Sequence, residues 1–147
     1  METAQSVAIV CAGLFFLTGL MTGIWKYKQI MASAEGQAHP YVDICHRASL
    51  MYAFAAILLA KFVEVSQLPG MVELIAVSAV LVYFASAIVT YFIHGLLQDT
   101  DNQLKPPFHV GKMKISSSAI ALHMWMLIVA EVAGFLVLFY GVVIAVL

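Results

Sequence analysis

The chain has 147 residues, of which 63 % are hydrophobic and 10 % charged, and a formal net charge of −1. So few ionisable groups cannot coat a water-soluble globule of this length, and a near-neutral chain without basic clusters offers no footprint for nucleic acid or another polyanion. The composition is that of an integral membrane protein whose principal partner is the lipid bilayer.

A membrane-crossing helix needs about 20 predominantly apolar residues. Four such runs occur, at 6–25, 41–65, 72–97 and 117–140. They predict an all-α fold, a bundle of four transmembrane helices forming one domain over residues 1–147. No basic cluster precedes the first run, it exceeds a leader's apolar region, and Trp25-Lys26-Tyr27-Lys28 follows it as an interfacial anchor. It is therefore expected to stay as helix 1. Within it Gly19-x3-Gly23 marks close helix packing or dimerisation.

The second run opens on AHPYVDICHR, residues 38–47. Pro40 suits a first helical turn, where its missing N–H is no loss, and Asp43 complements the positive end of the helix dipole. His39, Asp43 and His46 then stand at i, i+4 and i+7 on one face, a set that can hold a non-haem metal ion through imidazole and carboxylate. The simpler alternative has Asp43 capping the dipole and pairing with Arg47. Farther along come Ser49, Ala53, Ala56 and Ala60, a small-residue stripe, and Leu68-Pro69-Gly70 makes a tight turn into the third run.

The third run carries Tyr91 and His94 before a polar loop, QDTDNQ, and the fourth carries His123 and, deeper, Glu131. Cys11 and Cys45 fall near opposite faces of the bilayer, which argues against a disulfide. Lys26, Lys28, Arg47, Lys105, Lys112 and Lys114 gather on one side, with only Lys61 near the other. The positive-inside rule makes the basic side cytoplasmic, both termini external, and a bacterial inner membrane the expected location. At about 1.5 Å per residue, His46, His94 and His123 lie roughly 9, 5–7 and 10 Å inside that face. Ionisable side chains within a span usually face a bundle interior or wet cavity, so three imidazoles at similar depth predict a functional site there.

Cys45-His46 at the entrance to helix 2, the small and apolar run after it, and Tyr91 near the end of helix 3 before a loop containing Asn102 together resemble styrene oxide isomerase. The resemblance implies a homotrimeric bundle holding haem b, with His46 as axial ligand and Tyr91 orienting a small apolar substrate. The ferric iron would polarise an epoxide oxygen and yield an aldehyde without net redox change. That family has asparagine six residues after the ligand; here the position is Tyr52, a second candidate for steering the substrate.

Two other readings stay open. His94 and His123 allow bis-histidine ligation with His46, which closes the iron and suits electron transfer or haem handling. Arg47-Ala48 is also similar to the start of a motif in membrane glutathione transferases, but its continuation here, Ser49-Leu50-Met51, lacks that motif's His and Asn.

Overall fold

The computed structural model describes residues 2–147. Four helices, α1 (Thr3–Ala32), α2 (Pro40–Val65), α3 (Gly70–Leu97) and α4 (Ser117–Val146), are each long and apolar enough to cross a membrane. They form an all-α bundle, as expected from four runs of hydropathy. The helices outrun those runs at several ends, because interfacial residues such as Lys26 and Lys28 continue the backbone ladder of α1 while lowering its hydropathy.

α1 and α2 make the most extensive pairing. The buried stripe of α1 is Ala4, Ala8, Ala12, Phe15, Gly19 and Thr22, and that of α2 includes Ser49, Ala53, Ala56 and Ala60. Steps of three and four residues keep each stripe on one face, and the small side chains allow close approach. Gly19-x3-Gly23 is used within the chain: a Cβ at Gly19 would lie 2.5 Å from Leu50 Cδ2, and one at Gly23 would lie 2.9 Å from His46 Cε1.

α2 begins where Pro40 places it, with His39 as N-cap accepting a hydrogen bond from the Tyr41 N–H at 3.3 Å. α3 ends at Gln98, whose left-handed backbone (φ 48°) turns the chain back toward the helix it has just left. The 98–116 connection, read from sequence as a polar loop, also contains a small antiparallel hairpin of β1 (His109–Val110) and β2 (Met113–Lys114). Gly111 supplies the positive φ, 56°, that its turn requires.

α4 docks mainly through its second half. Its fully buried residues are Gly134, Leu138 and Gly141, and a Cβ at Gly134 would meet the Ala76 carbonyl oxygen at 2.8 Å. The first half of α4 has no fully buried residue. A cavity opens there between α3 and α4, with the 98–116 connection as its roof.

Candidate functional site

The site is built on the last turn of α3. His94 is 2 % exposed, and its Nδ1 lies 2.7 Å from Asp99 Oδ1. The other carboxylate oxygen, Asp99 Oδ2, accepts the Gly111 backbone N–H at 2.6 Å. One carboxylate thereby joins α3 to the hairpin turn. Burial pushes the Asp99 carboxyl upward, but hydrogen bonds from His94 and the Gly111 N–H outweigh it and hold the group below its ordinary value. An ionised carboxylate only accepts, so the proton in this bond belongs to His94 Nδ1, and in the neutral tautomer Nε2 is an acceptor.

Tyr41 completes this layer. Its ring packs against His94 at 5.0 Å between centroids and lies 6.1 Å from the Tyr91 ring. Its hydroxyl accepts the Gln103 backbone N–H at 2.6 Å, which ties the loop down over the helices.

The cavity beneath has a volume of about 400 Å³, toward the small end of ligand sites. Tyr52, Tyr91, His94, Gln103 and His123 contribute its main polar groups, and most of the remaining wall is apolar. Tyr52 is held by stacking on Phe84 at 4.2 Å, and His123 packs against Tyr83 at 5.8 Å. The Gln103 side-chain carbonyl oxygen is buried with no hydrogen-bond partner. Tyr52, Tyr91, His94 and His123, each singled out in the sequence, thus share one chamber.

His46 is not among the residues lining it. The ring turns toward α1, where Nδ1 lies 2.7 Å from the Gly19 carbonyl oxygen and the bare backbone of Gly23 makes room for it. A carbonyl only accepts, so Nδ1 carries the hydrogen and Nε2 of the half-buried ring is left with its lone pair. Ligating histidines are commonly oriented this way, the second nitrogen held by a backbone carbonyl. The hydrogen bond fixes the orientation of the His46 ring, as it would for an interfacial histidine bonded to a carbonyl. Within one chain His46 and the His94/His123 pair occupy different surroundings, one against α1 and the other at the α3–α4 cavity.

The face of His39, Asp43 and His46 is occupied otherwise. Asp43 pairs with Lys26 at 2.6 Å through one oxygen and with Arg47 at 2.7 Å through the other. His39 Nδ1 is engaged as the α2 cap, and its Nε2 lies 3.6 Å from Asp101. No group of three His, Cys, Asp or Glu side chains among the described residues is placed to share a metal ion. Helical spacing put the three on one face, but neighbouring cations and backbone groups claim their polar atoms.

Asp99, Gln103 and Tyr41 were not assigned these roles from sequence. Glu73, 1 % exposed and with both oxygens unpartnered at the opposite end of α3, was also missed. The cue for Asp99 was present: an acid five residues after a helix-end histidine, in a loop containing glycine at 111. Glu131 is half-buried, with one carboxyl oxygen lacking a partner. Comparison of the chain with protein-family models, curated proteins and solved structures returns no match in any of the three.

Proposed function

We propose that the protein is a haem b-dependent membrane isomerase that converts a small apolar epoxide to a carbonyl compound. The observation that supports this reading is the Nδ1–H hydrogen bond from His46 to the Gly19 carbonyl, which leaves Nε2 free to act as a ligand. The sequence resemblance to styrene oxide isomerase supplies the reaction class. Haem, when bound, would supply a Lewis acid able to polarise the epoxide oxygen.

The chain's residues have separate tasks in this proposal. His46 holds the group; Tyr52 and Tyr91 direct their hydroxyls at the substrate's oxygen; the apolar cavity wall excludes water that would open the epoxide to a diol. The rearrangement moves a hydrogen or carbon substituent within the substrate, so atoms and electrons balance without a co-reactant. Because His46 and the tyrosine-lined cavity face different surroundings in one chain, the reading includes the homotrimer: the two meet only if subunits bring those surfaces together.

The proposed orientation has the Lys-rich end of the bundle in the cytoplasm and both termini outside, in a bacterial inner membrane. An absorption spectrum of the detergent-purified protein beside His46→Ala tests the central claim. A high-spin ferric Soret band that disappears in the variant is expected. A band that survives the substitution, or no band when haem is supplied during expression, overturns it. A low-spin spectrum would point to bis-histidine ligation and an electron carrier.

A further inference from the structure

The α3–α4 cavity is lined by the buried His94, and the chemistry of that side chain restricts what can occupy it. Three observations bear on the occupant. His94 Nδ1 is committed to Asp99 at 2.7 Å, so in the neutral tautomer Nε2 is an acceptor. The Gln103 side chain lies in the roof, its carbonyl oxygen buried without a partner. A buried polar atom without a partner costs free energy that a suitably placed donor would recover. Both groups are braced from outside the cavity: Asp99 is anchored by the Gly111 N–H at 2.6 Å, and the Gln103 backbone is anchored by the Tyr41 hydroxyl at 2.6 Å.

The rest of the chamber excludes a strongly polar guest. Residues such as Ile93, Leu104, Phe108, Ile120 and Leu127 form its wall, and its volume of about 400 Å³ suits a molecule of one or two rings. An acceptor on His94 in a wall that is mostly apolar apart from Tyr52, Tyr91 and His123 complements a guest with a single donor group on an apolar frame.

We propose that the cavity binds a compact ring-bearing alcohol or phenol, whose hydroxyl donates to the imidazole of His94 while its ring fills the apolar chamber. Asp99 acts as a positioning residue by holding the His94 ring and its tautomer. The inference rests on the cavity's role as ligand chamber and is independent of haem at His46. Under the proposed isomerase function, it assigns the substrate a hydroxyl remote from the reacting epoxide.

Calorimetric titration of the full chain in detergent micelles, against empty-micelle blanks, tests this with naphthol, its methyl ether methoxynaphthalene, and naphthaldehyde. The three share the ring system and differ in hydrogen-bonding group. Naphthol is expected to bind about tenfold more tightly than the other two, the usual worth of one buried hydrogen bond. Equal binding of all three, or preference for the ether or aldehyde, overturns the proposal.

Ala87→Phe, at a buried position of the chamber's lining on α3, is expected to abolish naphthol binding. Unchanged binding in that variant would show partition into lipid or detergent and sink the site. His46→Ala is expected to leave naphthol binding intact, and its loss there would overturn the assignment to this cavity. Failure of the haem reading and failure of this one are thereby read separately. The ligand series requires no substitution, so the conclusion does not depend on whether a His94 variant folds.

Discussion

His94 on the last turn of α3 and Asp99 just beyond it are joined at 2.7 Å, and the same carboxylate holds the hairpin turn through Gly111 at 2.6 Å. A five-residue separation permits this because Gln98 adopts a left-handed conformation and folds the chain back beneath the helix end. Asp99 thus closes the roof of the cavity and orients one of its polar groups.

Asp99→Asn is expected to cost about 2 kcal/mol, as for loss of a buried charge-assisted hydrogen bond. The folded-state value of Asp99 lies below the unfolded one. Its contribution is therefore fully present above the unfolded value, about 3.9, and is lost as pH falls below that toward the folded value. Thermal unfolding between pH 2.5 and 6 should show stability falling at the acid end in the parent and a shallower fall in Asp99→Asn. Identical pH profiles would refute the assignment.

Gly134→Ala and Gly13→Ala should behave oppositely. A Cβ at Gly134 would come within 2.8 Å of the Ala76 carbonyl oxygen, a backbone atom that cannot rotate away, whereas none of the neighbouring atoms lies within 4 Å of a Cβ at Gly13. The first substitution is expected to cost about 1–3 kcal/mol through overpacking, and the second to be neutral or stabilising by up to about 1 kcal/mol. Unfolding in mixed micelles would compare them; equal effects would disprove close α3–α4 docking at this point.

Gly23→Ala tests the seat of His46 without removing its imidazole. The added methyl would lie 2.9 Å from His46 Cε1 and 3.0 Å from Nδ1, so the ring must shift away from its carbonyl partner. Under the proposed function, haem affinity is expected to fall about tenfold, the lower end of the effect of disturbing a ligand's supporting shell. Haem titration followed at the Soret band gives the answer. Unchanged affinity would mean that the Gly19 carbonyl does not orient the ligand.

The Lys26–Asp43–Arg47 cluster is partly exposed, with Arg47 64 % accessible. Solvent screening limits such pairs to about 0–1 kcal/mol each. Asp43→Ala is accordingly expected to lower stability by no more than about 1 kcal/mol and to leave bound-metal content unchanged, whereas under the proposed function His46→Ala should lose haem iron. Elemental analysis of the two purified variants checks this, and loss of a metal other than iron from Asp43→Ala would revive the His39, Asp43 and His46 ligand set.

The four helices, the start of α2 at Pro40 and the small-residue stripe from Ser49 to Ala60 were legible in the chain because they depend on local properties. In lipid each backbone polar group must be satisfied within its own helix, so an apolar run of sufficient length already specifies a spanning element. Spacing likewise determined that His39, Asp43 and His46 share a helix side. It did not determine what that side meets. The rotation of α2 against the glycines of α1 sends His46 to the Gly19 carbonyl, and the partial docking of α4 through Gly134, Leu138 and Gly141 leaves a chamber for Tyr52, Tyr91, His94 and His123. Those outcomes belong to tertiary structure because helix rotation, helix separation and the return of a loop onto a helix end are decided by contacts between segments far apart in sequence.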